Sequence, residues 1–394
     1  MDIAYTAAQL ELRAELRRYF AGVITPERRA QLTDPASGGH GTGTVYKDVI
    51  RQMGHDGWLG IGWPEEYGGQ NRSQLDQLIF TDEAQTAGAP LPLLTMNTVG
   101  PTIMEYGTQE QKDFFLPPIL KGELHFSIGY SEPDAGTDLA SLTTRAERDG
   151  DEFVINGSKM WTSSIEYADY VWLAVRTDPN AARHRGLSVL LVPTNTPGFS
   201  YTPVPTVAGG ITSQTFYEDV RVPASALVGE LHGGWKLITG QLNRERVSLC
   251  SGAVPQAAFA ATREWAAATK LPDGRRVIDQ EWVQVNFGRI FAKLEFLKLI
   301  NWKVAWGVSR GVSPADASAT KVYGTELAVE VYRLLMECFG DQACIRDGSP
   351  GAMVQGRIER MYRGALVLTF GGGANEIQRD MIAMRGLGFP RPPR

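Results

Sequence analysis

The chain has 394 residues, of which 43% are hydrophobic and 21% are charged, so it is long enough to form two or three packed units with sizeable cores. Its formal net charge of −5 excludes a strongly basic protein built to bind nucleic acid or an anionic membrane surface. The three cysteines, Cys250, Cys338 and Cys344, follow no metal-binding spacing. Their odd number favours buried free thiols in a reducing compartment.

The first segment, Met1 to Phe20, has no basic start that leads into an apolar run. We therefore predict an amphipathic helix here rather than a signal peptide. No apolar stretch of the sequence is long enough to cross a bilayer as a helix. Together these features predict a cytoplasmic protein.

Residues 1–122 show helical periodicity broken by loops. Helices are predicted over Ser73–Ala87 and over Gln109–Gly122, where Phe115 and Leu116 belong to an apolar stripe. This region is predicted to be an N-terminal α-helical domain.

Residues 123–226 have a different pattern, in which short β-branched runs alternate with turns. Strands are predicted at Glu152–Ile155, Tyr170–Val175 and Leu187–Val192, and Asn156–Gly157 after the first is a strong turn signal. Because no helical segments separate these strands, the pattern favours an antiparallel β-domain over a parallel nucleotide-binding sheet.

Residues 227–394 return to long helical patterns. The predicted helices are Trp235–Ser251, Pro255–Thr269, Glu281–Ser309, Ser313–Gly340, Met353–Phe370 and a last one after Gly373. The sequence therefore predicts an α+β chain with an N-terminal helical domain, a central β-domain and a C-terminal helical bundle.

Two motifs at the start of the β-region resemble those of the acyl-CoA dehydrogenase family. Residues 130–138 read Y-S-E-P-D-A-G-T-D and resemble the family signature T-E-P-x-A-G-S-D. Residues 156–163 read N-G-S-K-M-W-T-S and resemble the family segment N-G-x-K-x-W-I-T. Weaker matches follow the family order along nearly the whole chain, at residues 64–69, 107–112, 219–223 and 371–379.

This resemblance is closest to the acyl-CoA dehydrogenase subunits that actinobacteria use on steroid side chains. It implies an FAD-dependent enzyme that removes two hydrogens across the Cα–Cβ bond of an acyl-CoA thioester. It also implies a fold with an N-terminal helical domain, a central antiparallel β-barrel domain and a C-terminal four-helix bundle, in agreement with the three regions above.

The resemblance implies which residues bind the flavin. Ser131 and Ser163 would hydrogen-bond the ring edge near N5 and O4, and Trp161 would pack against the ring. Gly136 and Thr137 would approach the pyrophosphate, where a small residue and a hydroxyl allow close contact. Taken singly, each is an ordinary turn residue or core aromatic, but the two motifs together favour the flavin interpretation.

A catalytic base is also implied by the resemblance. In many relatives the base is a glutamate in a C-terminal Y-E-G-T motif, whose place is occupied here by Gly372. A second branch of the family carries its glutamate on a bundle helix just before an arginine, and Glu245 precedes Arg246 in this sequence. We therefore predict that Glu245 abstracts the α-proton, and that the backbone N–H of Gly372 helps to bind the thioester oxygen. The competing interpretation makes Glu245 a solvated ion-pair residue between two arginines.

Two segments depart from the family elements that complete the FAD site of a neighbouring subunit. The R-x-x-F-G element is replaced by K-L-P-D-G, which places Asp273 where phenylalanine is expected. The Q-x-x-G-G element is replaced by E-C-F-G-D, with Glu337 and Asp341 at the glutamine and second glycine. Three acids near a pyrophosphate would repel it.

These departures predict that the chain needs a paralogous subunit carrying the missing arginine and glutamine, as in an α2β2 heterotetramer. In the alternative, Arg275 or Arg276 replaces the missing arginine and the protein is a homotetramer.

Three functions are consistent with the sequence. The first is a dehydrogenase that passes electrons to an electron-transfer flavoprotein, and Glu245 favours this α-proton chemistry over monooxygenation. The second is an acyl-CoA oxidase that uses oxygen, and the third is a non-catalytic subunit of a heteromeric dehydrogenase. The glycines at 371–373 leave room for a bulky or branched acyl group such as a sterol side chain, although glycine runs are also common in turns.

Overall fold

A computed structural model describes residues 4–33, 43–248, 250–307 and 313–390, without the side chains of residues 242–248 and 355. The N-terminal region consists of helices α1 (Ala7–Val23), α2 (Pro26–Thr33), α3 (Thr44–His55), α4 (Gln74–Ala87), α5 (Gly100–Tyr106) and α6 (Gln109–Leu120).

The starts of three of these helices are specified by local sequence. Thr6, Ser73 and Thr108 accept a backbone hydrogen bond at the first turns of α1, α4 and α6, and each takes part in a capping box. Three helices were predicted in this region. Those over α4 and α6 are confirmed to within two residues at each end. The amphipathic helix predicted within the first twenty residues is confirmed as α1, which begins at Ala7 and continues to Val23. Leu16 and Phe80 lie in the core that α1, α3 and α4 share.

The central region forms one sheet of strands β1 (Phe126–Gly129), β2 (Arg145–Asp149), β3 (Glu152–Lys159), β4 (Tyr170–Arg176), β5 (Leu187–Pro193), β6 (Phe199–Pro205), β7 (Ile211–Pro223) and β8 (Leu227–Val228). The strand order is β6-β7-β3-β2-β4-β5-β8, and β1 pairs with β4. The pairing is antiparallel except where β1 and β2 each pair with β4. Almost every residue of β4 and β5 is buried, which explains their continuous hydrophobic sequence.

The turn predicted at Asn156–Gly157 is wrong. β3 continues through this dipeptide to Lys159, and its register against β7 shifts between Ile155 and Gly157, which marks a β-bulge. Gly157 has φ 146°, and a Cβ atom there would lie 2.7 Å from Thr144. The glycine therefore serves the bulge, because pairing with β7 keeps the strand extended beyond it.

The C-terminal region forms α7 (Gly234–Ser248), α8 (Ala253–Ala268), α9 (Glu281–Gly307), α10 (Pro314–Phe339), α11 (Arg357–Ala365) and α12 (Asn375–Met381). Helix α10 packs against all the others and supplies the centre of the bundle core, including Val331 and Leu335. The single helix predicted over Met353–Phe370 is wrong in one respect. Only α11 is α-helical there, and short 3-10 turns lie on either side of it.

The three regions are connected by polar contacts as well as by apolar packing. Gln111 on α6 donates to the carbonyls of Ser225 and Leu227 at 2.8 and 2.9 Å, which ties the N-terminal helices to the end of the sheet. Ser251 donates to Asp82 on α4 at 2.6 Å, which ties these helices to the bundle. The N-terminal helices therefore contact both the sheet and the bundle, and the order of the three regions along the chain is the one the sequence predicted.

All three cysteines are free thiols, and Cys250 and Cys338 are buried, as predicted. The prediction is wrong for Cys344, whose side chain is exposed. Within the described ranges, no helix combines the length and the apolar character that spanning a membrane would require.

Candidate active site

The two motif segments meet at one end of the sheet. The backbone N–H of Met160, just after β3, donates to the carbonyl of Ser131 at 2.8 Å. The hydroxyl of Ser127 on β1 donates to the carbonyl of Ser163 at 2.9 Å. The structure therefore brings three predicted flavin residues, Ser131, Trp161 and Ser163, into one neighbourhood.

Residues 161–163 present alternate side chains to solvent. Thr162 is buried, its N–H donates to Ser213 at 2.9 Å, and its hydroxyl lies 3.3 Å from that of Thr215. Because Thr162 points inward, the side chains of Trp161 and Ser163 on either side of it are exposed. The hydroxyl of Ser163 is 3.0 Å from that of Thr212.

Trp161 combines two unusual properties. Its φ is 67°, in the left-handed region that large side chains rarely adopt, and its side chain is 56% exposed. Strained backbone of this kind is concentrated at functional sites, and an exposed indole face suits a planar partner. The residue therefore fits an aromatic wall for a flavin ring and does not belong to the core.

Gly136 and Thr137 lie exposed on the loop that follows Ser131. A Cβ atom at Gly136 would meet nothing within 4 Å, and its φ lies outside the left-handed region. Neither packing nor backbone conformation within the chain requires glycine here. A ligand that approaches the backbone closely would require it, which fits the pyrophosphate of FAD.

Sequence reasoning missed a buried ion pair beneath these segments. Lys159, at the end of β3, is fully buried, and its ammonium group is 2.8 Å from Glu132 Oε1. The same carboxylate accepts bonds of 2.7 to 2.8 Å from the backbone N–H groups of Thr143 and Thr144 and from the Thr143 hydroxyl. Both charged residues lie within the two quoted motifs. Their positions were therefore visible in the sequence, whereas their burial was not.

The pKa of Glu132 is set by opposing effects. Burial raises the pKa. The charge and hydrogen bond of Lys159, together with the bonds from Thr144 and Thr143, lower it by more, so that the net pKa is about 2. The carboxylate is therefore ionised at any physiological pH, and the pair connects the two motif segments as a salt bridge.

The two predicted catalytic residues lie in the helical bundle. Glu245 is on α7, but its side chain is outside the described set, as is that of Arg246, so the position of the carboxylate stays a prediction. The middle of α7 does contact the flavin segments, because the hydroxyl of Tyr130 donates to the side chain of Gln241.

Gly372 lies in the turn before α12. Its φ is 68°, so the turn conformation by itself favours glycine at this position. Lys321 on α10 donates to the carbonyl of Thr369 at 3.2 Å and to Asn375 Oδ1 at 2.7 Å, which holds both ends of the turn. In the part of the chain that the structure describes, no hydrogen bond joins Gly372 to the flavin motif segments.

The segments that depart from the family elements carry internal ion pairs. Asp273 accepts from Arg275 at 2.7 Å, and Asp279 accepts from Arg276 at 2.7 Å. Glu337 accepts from Arg333 at 2.5 Å. The two arginines considered as substitutes for the missing arginine are therefore each paired with an aspartate of their own loop.

Family comparisons agree with this architecture. The acyl-CoA dehydrogenase N-terminal domain matches residues 6–123, the middle domain residues 127–220 and the C-terminal domain residues 232–387. The chain therefore belongs to the acyl-CoA dehydrogenase family and is an oxidoreductase of that class.

Similar proteins cover the whole chain. It is 62% identical to acyl-CoA dehydrogenase FadE26 and 45% identical to acyl-CoA dehydrogenase FadE29, both of Mycobacterium tuberculosis, over 100% of both sequences in each case. Among solved structures, a chain of the ChsE4-ChsE5 complex from M. tuberculosis superposes with a TM-score of 0.93 at 62% identity. A chain of the Tcur3481-Tcur3483 steroid acyl-CoA dehydrogenase gives 0.92 at 51% identity, and both superpositions cover 100% of each chain.

We predict that Lys159→Met lowers the free energy of unfolding by about 3–5 kcal/mol at pH 7, because it leaves the Glu132 carboxylate buried without its partner. Since the pKa of Glu132 lies below the ordinary 4.5, its stabilising contribution is complete above that pH. It is lost as the pH falls toward about 2. Urea unfolding of both proteins should show a difference that shrinks below pH 4.5.

Arg221→Met is the matched control, because it removes a cation whose pairs with Asp149 and Glu152, both at 3.0 Å, lie at the surface. Its effect on unfolding should be small. Equal losses in the two variants would show that the Glu132–Lys159 pair has no special importance.

Proposed function

We propose that this chain catalyses the FAD-dependent α,β-dehydrogenation of an acyl-CoA thioester. The single observation that carries the proposal is the meeting of the two motif segments, which places an exposed, strained Trp161 beside Ser131 and Ser163. Bound FAD would supply the acceptor, at N5 of its ring, for the hydride that leaves Cβ.

The chain's own residues would hold the cofactor as follows. The indole of Trp161 packs against the ring, and the hydroxyls of Ser131 and Ser163 donate to its edge. Gly136 and Thr137 contact the pyrophosphate through backbone N–H and hydroxyl donors. The rigid sheet and the Glu132–Lys159 pair keep these donors in place without help from the ligand.

Proton abstraction is assigned to Glu245. A carboxylate in a site from which water is excluded has a raised pKa, which makes it a stronger base toward the weakly acidic α-proton. The backbone N–H of Gly372 would donate to the thioester oxygen as negative charge develops there. Both assignments rest on the family motifs and on the loss of a side-chain acid at position 372.

For the substrate we propose an acyl-CoA with a bulky or branched group, such as a steroid side chain. The support is twofold: the printed description of the Tcur3481-Tcur3483 relative as a steroid acyl-CoA dehydrogenase, and the three successive glycines at 371–373. As the family implies, an electron-transfer flavoprotein would reoxidise the flavin.

For the assembly we propose an α2β2 heterotetramer with a paralogous subunit. The structures of two close relatives are described as complexes of two different chains. In this chain, Arg275 and Arg276 pair at the surface with Asp273 and Asp279, so either arginine would have to leave its aspartate to substitute for the missing arginine. The exposed flavin residues are open to completion by groups of another subunit.

The test of the base is Glu245→Gln. Stopped-flow flavin reduction by a matched acyl-CoA should slow by about two or more orders of magnitude, the scale of a positioned general base, while FAD content stays normal. Glu264→Gln is the control, because Glu264 is an exposed glutamate that also follows an arginine on a bundle helix. Undiminished reduction in Glu245→Gln would refute the assignment.

A second prediction concerns the cofactor loop. Gly136→Val should leave the thermal stability of the apoprotein unchanged, because the new side chain projects into open space. It should weaken FAD binding by about tenfold or more, since about 1.4 kcal/mol of lost contact is a factor of ten. Gly22→Val, at another glycine with nothing within 4 Å, should bind FAD normally. Normal FAD affinity in Gly136→Val would remove the pyrophosphate assignment.

The assembly is tested by expression with and without the paralogous subunit. We expect mass measurement in solution to find a stable, FAD-containing tetramer only when the two are expressed together. A homotetramer of this chain alone, saturated with FAD, would exclude the heteromeric proposal.

A further inference from the structure

Tyr130 lies at a junction between the sheet and the bundle. Its hydroxyl accepts a hydrogen bond from the indole N–H of Trp172 on β4 at 3.1 Å and donates one to Gln241 Oε1 on α7. The bond lies in a dry environment, because Tyr130 is 7% exposed, Gln241 1% and Trp172 0%.

This contact connects the two halves of the proposed site. Tyr130 immediately precedes Ser131, and Gln241 lies four residues before Glu245 on α7. Residues four apart in a helix share one face and are separated by one turn, or about 6 Å along the axis. The hydrogen bond therefore runs from the flavin segment to the helix turn next to the predicted base.

The flavin segment itself is attached to its own sheet at successive residues. Lys159 donates to the carbonyl of Tyr130 at 3.1 Å, and Met160 donates to the carbonyl of Ser131 at 2.8 Å. The sheet thus holds Tyr130 in place, and the hydrogen bond from its hydroxyl to Gln241 fixes α7 relative to the sheet. Leu237 and Ile238 of α7 pack in the same apolar cluster as Tyr130, which keeps water from replacing the bond.

We propose that Tyr130 and Gln241 are positioning residues that set the distance between the flavin segment and the base on α7. This inference rests on the proposed function. Proton abstraction and hydride transfer require the base and the flavin on opposite sides of the substrate, and misplacement by about 1 Å can cost about 100-fold in rate. In this proposal the positioning depends on the hydroxyl of Tyr130 and not on the shape of its ring.

The test uses Tyr130→Phe, Gln241→Met and the double variant, each in the complex with its partner subunit. Two steps are measured: anaerobic flavin reduction by acyl-CoA, and exchange of the α-proton with deuterated water in an acyl-CoA analogue that has no hydrogen on its β-carbon. We expect both rate constants to fall about tenfold or more, with unchanged FAD content and substrate affinity. The double variant should be no slower than the slower single one, since both remove the same contact.

Tyr46→Phe is the control, because Tyr46 is also 7% exposed and its hydroxyl accepts a partly buried hydrogen bond from Tyr167 at 3.2 Å. It should leave both rate constants unchanged. A merely structural role for Tyr130 would instead lower FAD content and thermal stability without a specific loss of proton exchange. If Tyr130→Phe fails to fold, Gln241→Met applies the same test to the other partner.

The outcomes separate this inference from the proposed function. If Glu245→Gln stops α-proton exchange while Tyr130→Phe and Gln241→Met exchange as fast as Tyr46→Phe, the base stands and the positioning role is overturned. If Glu245→Gln exchanges normally, the base is elsewhere and the inference falls with it.

Discussion

The arrangement of the site depends on one buried ion pair, that of Glu132 and Lys159. A lysine with no solvent exposure is stable as an ammonium ion only beside an acceptor of opposite charge, and the carboxylate is stable only because Thr143 and Thr144 satisfy its other lone pairs. These requirements bring the end of β3 against the segment after β1. Ser131, Trp161 and Ser163 are placed by the same contact, although none of them takes part in it.

The strain and exposure at Trp161 accompany the inward position of its neighbour Thr162. Thr162 is held inward by hydrogen bonds to Ser213 and Thr215, and the neighbouring Trp161 has a left-handed backbone conformation. The cost of such a conformation is compensated by the rigid sheet below it. The result is an indole side chain that is 56% exposed on the chain.

Local sequence was sufficient for part of the elements. Capping boxes at Thr6, Ser73 and Thr108 specify helix starts, and uninterrupted hydrophobic runs specify β4 and β5, because caps and periodicity act over a few residues. The Asn156–Gly157 turn was predicted by the same local logic and was wrong, because pairing of β3 with β7 continues on the far side of the bulge. A dipeptide preference contains no information about a partner strand that lies some sixty residues later in the chain.

The sequence by itself determined the class of fold, the family motifs and the residue types available for chemistry, since these depend on composition, spacing and short-range hydrogen bonds. The tertiary structure alone decided how the pieces meet: the parallel pairing of β1 and β2 with β4, the Glu132–Lys159 pair, and the bond from Tyr130 to Gln241, whose partners are 111 residues apart. Such contacts are invisible in the sequence. Pairing offsets the cost of removing these polar groups from water, and the low-dielectric surroundings that strengthen the pairing exist only once the chain has packed.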